Sequence, residues 1–440
     1  MRGHAVVVGA GMGGLLAARA LAGEYERVTV LERDPLPDGA ERRRGVPQGR
    51  HFHALLRRGA LVLEAMFPGL TGELAAAGAP TVDLLPDATF VVGGRQFVRA
   101  RTGATMMQLT RPLLEGAVRR RVAALPGVRL VDRCAVTGPL TDRGRVVGVC
   151  TGERTLPADL VVDASGRGGR ATAWLSALGH RLPAEERIVG DLVYVSRLVR
   201  LRTSPPPRGL TLVGPTPRRP TGFAFAAQEN DHWMLTAVGM VGDHPPTDDP
   251  GLLAFLARCA PPDVLAAVAA AEPLTEPSAH RYPASVWRRY DRLRTFPEGL
   301  VVFGDAICGF NPIYGQGMTV AALEAEALRR LLRGRCPRTG DRDLARRFFG
   351  AAARIIEPVW LLNAVADLAI PGVGGRRTPA TRALNRYIGR AQRAAEHDPV
   401  VATAFVRAIA LLTPPAALLA PPVLGRVLLG GITERRNSAA

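Results

Sequence analysis

The first thirty-two residues contain the feature that most constrains the fold of this chain. A β-branched run, Ala5–Val8, is followed by a glycine-rich turn, by an Ala- and Leu-rich segment typical of a helix (Leu15–Ala22), and by a second apolar run, Val28–Leu31, that ends at Glu32. Strand, glycine turn, helix, strand and acid in this order predict a βαβ unit that binds a dinucleotide. The chain is therefore expected to build a parallel sheet around this unit.

The glycines of this turn are explained by the backbone geometry that a dinucleotide site requires. Gly9 permits the tight turn, Gly11 lets the backbone approach a pyrophosphate, and Gly14 lets the helix pack on the sheet. Free N–H groups at the start of the helix direct partial positive charge at phosphates, and Glu32 is placed to accept hydrogen bonds from ribose hydroxyls. The motif alone does not distinguish FAD from NAD. The predicted residues of the turn are Gly9, Gly11, Met12, Gly13 and Gly14.

A second motif, VVFGDAICGFNPIYGQGMTVAALEA over Val301–Ala325, favours a flavin. Asp305 follows a buried strand and can bind a polyol hydroxyl, while Gly315 and Gly317 allow the backbone to approach the edge of a ring. The helix that follows directs its N-terminal dipole at the same place. Such a site stabilises negative charge on a ring, as on reduced flavin.

The middle of the chain has a different pattern. After about residue 185, Asp191–Leu201 alternates as a half-buried strand does, and further short strands follow, separated by proline-rich joints such as Pro205–Pro207. The expected fold is α/β: a Rossmann-like FAD-binding domain with an inserted antiparallel β-sheet substrate domain and a C-terminal helical region. The predicted boundaries are 1–185 and 291–340 for the FAD-binding domain, 186–290 for the sheet and 341–440 for the helical region.

Composition excludes several kinds of chemistry. All 57 basic residues are arginine, so a P-loop lysine and a Schiff-base lysine are both excluded. The net charge of +18 comes from scattered arginines among few aromatic residues (5%), which predicts no nucleic-acid partner. Widely spaced cysteines in odd number predict reduced thiols, no metal site and a cytoplasmic protein. They are Cys134, Cys150, Cys259, Cys308 and Cys336.

The C-terminal stretch Ala408–Leu424 is strongly apolar, and Arg407 and Arg426 flank it. Its four prolines argue against a membrane-spanning helix. Three interpretations stay open: a packed tail, a cover over an apolar substrate pocket, and a shallow contact with a membrane. The sequence leaves the oligomeric state open.

With these motifs in this order, the chain resembles the flavoprotein monooxygenases of the para-hydroxybenzoate hydroxylase fold over roughly Ala5–Leu332, in particular the flavin epoxidases and hydroxylases of polyketide and terpenoid biosynthesis. The resemblance implies bound FAD, NADPH or NADH as transient reductant, and O₂ activation as a flavin C4a-hydroperoxide. The expected reaction is epoxidation or hydroxylation of a small apolar polyene, terpenoid or polyketide. A prenyl-chain reductase, a phenol hydroxylase and a basic binding module are the alternatives.

The resemblance also implies roles for individual residues. Glu32 and Arg33 hold the ADP half, Arg111 reaches the phosphates and ribose, and the backbone of Val136 meets the adenine. In the middle motif, Asp163-Ala-Ser-Gly166-Arg, alanine follows the aspartate where the family often has glycine, which puts the reductant contacts in doubt. The segment implied to lie under the isoalloxazine comprises Pro312, Gly315, Gly317 and Met318, with Asp305 as the ribityl ligand.

The catalytic residues stay unassigned at this level. The segment Val46–His53 resembles one that borders the flavin in the epoxidases, and its two histidines lack the acidic or cysteine partners of a metal site. Tyr194, Arg197 and Tyr314 are candidates for substrate contact, but nothing in the sequence selects a base. Flavin halogenases resemble this fold and use an active-site lysine, which this chain does not have.

Overall fold

The computed structural model describes residues 2–152, 154–202, 208–334 and 343–437. The predicted joint Pro205–Pro207 and Cys336 lie outside these residues, and the other four cysteines are free thiols. The strands are β1 (Arg2–Val8), β2 (Tyr25–Leu31), β3 (Ala54–Leu56), β4 (Thr81–Asp83), β5 (Ala88–Val92), β6 (Arg95–Gln96), β7 (Thr105–Gln108), β8 (Val128–Val131), β9 (Val136–Asp142), β10 (Arg145–Thr151), β11 (Thr155–Pro157), β12 (Leu160–Asp163), β13 (Glu185–Arg200), β14 (Leu210–Val213), β15 (Thr221–Ala227), β16 (His232–Gly239), β17 (Glu272–Pro273), β18 (Ser278–Arg288), β19 (Leu300–Val302) and β20 (Cys308–Gly309).

The helices are α1 (Met12–Leu21), α2 (Arg57–Met66), α3 (Leu70–Ala76), α4 (Arg111–Ala123), α5 (Ala171–Ala177), α6 (Asp249–Ala257), α7 (Pro262–Ala270), α8 (Gly317–Arg333), α9 (Leu344–Leu368), α10 (Pro379–Ala394), α11 (Pro399–Ile409) and α12 (Pro421–Asn437).

The N-terminal βαβ unit forms the centre of a five-stranded parallel sheet in the order β19-β12-β1-β2-β8. In β1, Val7 pairs with Val30 of β2 on one side and Val162 of β12 on the other. All three valines are fully buried, because helices cover the sheet as parallel sheets require. Two distant parts of the sequence therefore build one Rossmann-like sheet, which confirms the predicted fold class.

The second large sheet carries the predicted strands of the middle region but is mixed rather than purely antiparallel. Its order is β20-β18-β13-β16-β15-β14-β5-β6, with β17 paired to β13. β14 runs parallel to β5, and the β5–β6 hairpin and β20 come from sequence outside 186–290. A short hairpin closed by Gly93 and Gly94, both at positive φ, can extend the edge of this sheet without a sequence signal of its own. Helices α6 and α7 on this sheet were also not predicted.

The C-terminal region is helical, as expected, and packs on both sheets. Helices α10 and α11 share an apolar core with β5 and β7 through Ile388, Phe405 and Met106. Among the described helices, α9 alone has the length and apolar content to cross a membrane, and half of its most apolar stretch is buried inside the protein. The last four residues of the apolar tail begin helix α12, which continues to Asn437 and was not predicted.

Candidate active site

A single cavity of about 920 Å³ extends from the glycine turn of β1 to the large sheet and the C-terminal helices. Fourteen of the sixteen predicted cofactor residues line this cavity. Gly14 and Asp163 do not. The lining residues are Gly9, Gly11, Met12, Gly13, Glu32, Arg33, Arg111, Val136, Gly166, Asp305, Pro312, Gly315, Gly317 and Met318.

The glycine turn has the close contacts that its sequence predicts. Gly9 has φ +99°, and a Cβ there would lie 2.8 Å from the carbonyl oxygen of Ala164. A Cβ on Gly14 would lie 1.8 Å from the carbonyl oxygen of Gly9, so helix α1 can pack against the turn only without a side chain at this position. A Cβ on Gly11 would have no protein atom within 4 Å, which leaves this backbone open to the cavity.

Two helices begin in the cavity wall without a side-chain cap. Helix α1 starts at Met12 after Gly11, which has no side chain to cap it, and helix α8 starts at Gly317 after Gln316, whose side chain accepts no hydrogen bond from the first turn. The N–H groups at a helix start carry partial positive charge. Both starts can therefore receive negative charge, such as a pyrophosphate at α1 and a reduced ring at α8.

A buried ionic network lies next to the glycine turn at one end of the cavity. Glu115 accepts hydrogen bonds from Arg43 Nε (2.7 Å) and Arg111 Nε (3.0 Å), and the side chains of both arginines are at most 10% exposed. Burial alone would raise the pKa of Glu115, but the two guanidinium groups hold it below its usual value. Arg43 also lies 3.3 Å from Glu32, whose Oε2 accepts from the amide of Ala10 at 2.9 Å.

Asp305 faces the cavity from the turn after β19. Its side chain is open to the cavity but lies deep in the protein, and this burial raises its pKa, while Arg111 and Arg167 act in the opposite direction. The preceding residue, Gly304, is held in place because its amide donates to the buried carboxyl of Glu324 at 2.8 Å. Burial raises the pKa of Glu324 to about 8. Asp305 can therefore accept a hydrogen bond from a ligand hydroxyl.

Asp163 organises the middle motif from inside the protein. Its fully buried carboxylate accepts hydrogen bonds from the amide and hydroxyl of Ser165 and from the amide of Ala171. These bonds shape the turn that brings Gly166 and the following arginine to the cavity. The carbonyl of Val136, predicted to meet the adenine, accepts from Arg170 at 2.5 Å, and the side chain of Arg33 is 63% exposed.

A second polar cluster fixes the loop between β20 and α8. Asp367 of helix α9 accepts hydrogen bonds from the hydroxyl of Tyr314 (2.6 Å) and from the side-chain amide of Asn311 (3.0 and 3.2 Å). No cation is paired with this carboxylate among the described residues, and burial raises its pKa to about 6. The loop that carries Pro312 and Gly315 is thus attached to the C-terminal region.

His51 begins a chain of side-chain hydrogen bonds at the wall between cavity and sheet. Its Nδ1 lies 2.9 Å from the hydroxyl of Ser196, which lies 2.7 Å from the hydroxyl of Thr236. Burial lowers the pKa of His51 to about 3, and nearby His280 adds to this effect. His53 contacts the carbonyl of His51, and burial next to Arg111 lowers its pKa to about 4. Both rings are therefore neutral at ordinary pH.

The three candidates for substrate contact have different surroundings. Tyr194 is buried, lines the cavity and packs edge-on against His51, with ring centroids 4.3 Å apart. Tyr314 also lines the cavity. Arg197 does not: it forms an ion pair with Asp249 at the start of α6. Arg197 therefore stabilises the sheet rather than the site.

The two ends of the cavity differ in charge. The charged residues in its lining are Glu32, Arg33, Asp34, Arg43, Arg111, Arg167, Arg170 and Asp305. Of these, Arg167 reaches the large sheet, where its guanidinium carbon lies 3.8 Å from the centroid of the Tyr282 ring. Among the described residues, the lining from the large sheet and helices α9 to α11 has no charged side chain. It consists mainly of groups such as Phe90, Leu212, Phe223, Ile370 and Ile388.

Sequence reasoning missed several of these residues. Arg43 and Glu115 are 72 positions apart, and Asn311 and Asp367 are 56 apart, so no local pattern connects them. Ile409 of the apolar tail lines the cavity, and its carbonyl accepts from Gln316 at 2.9 Å. Other residues of that tail are packed inside the protein, since Ala408, Ala410, Leu418 and Val423 are buried.

Comparison with known proteins places the chain in a class by its fold. The NAD(P)-binding Rossmann-like domain family matches residues 7–58. The flavin-dependent brominase Bmp2 superposes with a TM-score of 0.68 at 16% identity, covering 98% of this chain and all of Bmp2. PqsL of Pseudomonas aeruginosa, a probable FAD-dependent monooxygenase, superposes with a TM-score of 0.59 at 19% identity, covering 92% of this chain and 99% of PqsL. The protein therefore has the fold of the FAD-dependent monooxygenases, as the sequence resemblance implied.

The family itself is shown by a much nearer relative. Protein Rv3254 of Mycobacterium tuberculosis (strain ATCC 25618 / H37Rv) is 37% identical over 448 aligned residues, which cover 97% of this chain and 93% of that protein. The chain belongs to the same family as Protein Rv3254.

Proposed function

We propose that the protein is an FAD-dependent monooxygenase that uses NADPH or NADH and O₂ to epoxidise or hydroxylate a small apolar molecule of the polyene, terpenoid or polyketide kind. The observation that carries the proposal is the division of one cavity into a charged end with two helix starts and an uncharged, apolar end. A dinucleotide fits the first end and an apolar substrate the second. The fold shared with Bmp2 and PqsL supports the same reaction class.

The residues present fit FAD. The open backbone at Gly11 and the uncapped start of α1 suit a pyrophosphate, Asp305 suits a ribityl hydroxyl, and the start of α8 suits the ring. The chemistry that bound FAD supplies is acceptance of hydride and activation of O₂. The protein contributes position, polarity and exclusion of water.

The apolar end determines what kind of substrate can enter. Away from Arg167, which lies over the ring of Tyr282, this lining offers a charged substrate no ion-pair partner in place of its lost hydration, so a neutral molecule is favoured. Polar groups that line this end and can orient the substrate include the neutral rings of His51 and His280, the hydroxyls of Tyr194, Thr236 and Tyr282, and the side-chain amides of Asn385 and Gln392. Bromination, the activity in the name of Bmp2, is not proposed, because the chain has no lysine to carry a halogen oxidant.

Cofactor binding is tested by titrating the purified protein with FAD and following flavin fluorescence. The wild type is expected to bind FAD and turn yellow, and Asp305→Ala to bind it more weakly, by roughly tenfold for one lost hydrogen bond to a charged group. Asp142→Ala, on an exposed strand of the same domain, is the matched control. A protein that takes up no FAD contradicts the proposal.

The reaction is tested by NADPH oxidation across polyenes, terpenes and phenols, with the product mass as readout. A gain of one oxygen supports monooxygenation. A gain of two hydrogens supports the prenyl-chain reductase instead. Oxygen gained only by phenols supports the aromatic hydroxylase.

A further inference from the structure

Helix α10 carries four arginines on the face that points away from the protein. Because they are spaced at intervals of four, four and three residues, they lie on one side of the helix. All four are exposed, and none of their side chains makes an ion pair or hydrogen bond with another residue that the structure describes. We call this the arginine face; it consists of Arg382, Arg386, Arg390 and Arg393.

Exposed leucines lie next to this helix. Leu419 is 50% exposed, and Leu428 and Leu429 on helix α12 are 47% and 63% exposed. Helix α12 packs on α10 through the apolar core that both helices share. The hydroxyl of Tyr387 on α10 donates to the carbonyl of Leu418, so Leu419 follows directly after a contact with α10. We call these three side chains the leucine patch.

The acidic groups near the end of α10 are already neutralised. Glu396 forms an ion pair with Arg95, and Asp398 forms one with Arg426 at 2.9 Å. Asp398 also caps helix α11. The positive charge of the arginine face is therefore not cancelled by these two carboxylates.

An adjacent side of α10, about 100° around the helix from the arginines, forms part of the cavity wall. Asn385, Ile388, Gly389 and Gln392 all line the apolar end. One helix thus separates the apolar chamber from the outer surface that carries the arginines. Whatever binds the arginine face lies within one helix diameter of the chamber.

We propose that the arginine face and the leucine patch together form a docking surface for an anionic phospholipid bilayer. Arginines are attracted to the negative surface of such a bilayer, and exposed leucines beside them can enter the boundary between headgroups and acyl chains. A nucleic acid would match the arginines but would leave the leucines in water. The surface would bring the apolar chamber close to lipid-dissolved molecules, and this consequence alone rests on the proposed function.

The test is flotation of the full-length protein with phosphatidylcholine vesicles, with and without phosphatidylglycerol. The wild type is expected to float with the anionic vesicles and to be released by salt. Replacing the four arginines together (R382Q, R386Q, R390Q and R393Q) is expected to weaken binding on the order of a thousandfold. The double variant Leu419→Ser and Leu428→Ser should also weaken binding.

The matched control changes the same charge elsewhere. Arg27, Arg129, Arg143 and Arg181 are exposed on the FAD-binding part of the chain, and their joint replacement by glutamine should leave vesicle binding unchanged. The proposal is overturned if the wild type does not float with anionic vesicles, if the control variant loses as much binding, or if single-stranded DNA displaces the protein while the leucine variant binds normally.

The flavin content of the same fractions separates this inference from the proposed function. Colourless protein that floats with anionic vesicles contradicts FAD binding but supports the docking surface. Yellow protein that stays with the unbound fraction supports FAD binding and overturns the docking surface.

Discussion

The hydroxyl of Tyr314 donates a hydrogen bond of 2.6 Å to Oδ1 of Asp367, and this contact attaches the loop beside the cavity to the long helix α9. The pair joins two parts of the chain that the sequence does not relate. It also places a carboxyl group inside the protein with only neutral donors as hydrogen-bond partners among the described residues. The same pair leads to a pH dependence that can be measured.

The free energy of unfolding should fall as the pH rises from about 4 to about 6 because of Asp367. Burial raises its pKa from 3.8 to about 6 in the folded protein, so the folded state retains a proton that the unfolded state has lost. The loss amounts to about 2–3 kcal/mol across this interval. Urea unfolding at several pH values should show that Asp367→Asn removes this slope, whereas Asp142→Asn does not. Equal slopes in the wild type and Asp367→Asn would contradict the burial of an uncompensated carboxyl.

His51 should make the free energy of unfolding rise with pH, opposite to the effect of Asp367. Burial lowers its pKa from 6.5 to about 3, so the unfolded state takes up a proton below about pH 6.5 that the folded state does not. The stability contribution of the neutral ring is therefore lost as the pH falls, by about 2 kcal/mol at pH 5. In denaturant unfolding at several pH values, the free energy of unfolding of His51→Asn should fall less steeply with decreasing pH than that of the wild type. His397→Asn, at an exposed position, is the control, and an equal change in both variants would contradict this account.

Glu115 should be far more important for stability than Glu73, although each carboxylate bridges two arginines. Glu115 holds Arg43 and Arg111 inside the protein, and Glu115→Gln leaves buried Arg111 without this anion and Arg43 with Glu32 alone, at a cost of about 3–5 kcal/mol. Glu73 pairs with Arg120 and Arg121 on the surface, where Glu73→Gln should cost about 0–1 kcal/mol. Chemical denaturation measures both values, and similar losses would be evidence against the buried network.

Alanine substitutions at two glycines of the turn should have different effects, one on folding and the other on FAD binding. Gly14→Ala places a Cβ 1.8 Å from the carbonyl of Gly9, so we expect loss of folded protein. Gly11→Ala meets no protein atom within 4 Å and should fold normally, with weaker FAD binding because its methyl group enters the cavity. Circular dichroism and FAD titration separate the two effects. A Gly11→Ala protein that binds FAD as tightly as the wild type would argue against a pyrophosphate at this turn.

The sequence was most informative where the chemistry is local. The turn from Gly9 to Gly14 and the segment from Asp305 to Met318 are each continuous in sequence. The residue types in them follow from local backbone conformation or charge, so they can be interpreted without knowing any residue distant in sequence. The large sheet was predicted less well, because the pairing of β5 with β14 joins strands more than a hundred residues apart. The partners Glu115 and Asp367 were missed for the same reason, since tertiary packing alone selects them.

The central claim is that the cavity supports transfer of one oxygen atom from O₂ to an apolar molecule. The most direct measurement is turnover of the FAD-loaded protein with NADPH, isotopically labelled O₂ and the apolar compound that most stimulates NADPH oxidation, with the product analysed by mass spectrometry. We expect one labelled oxygen atom in each product molecule. A product that gains two hydrogens, or an oxygen that carries no label, would contradict the claim.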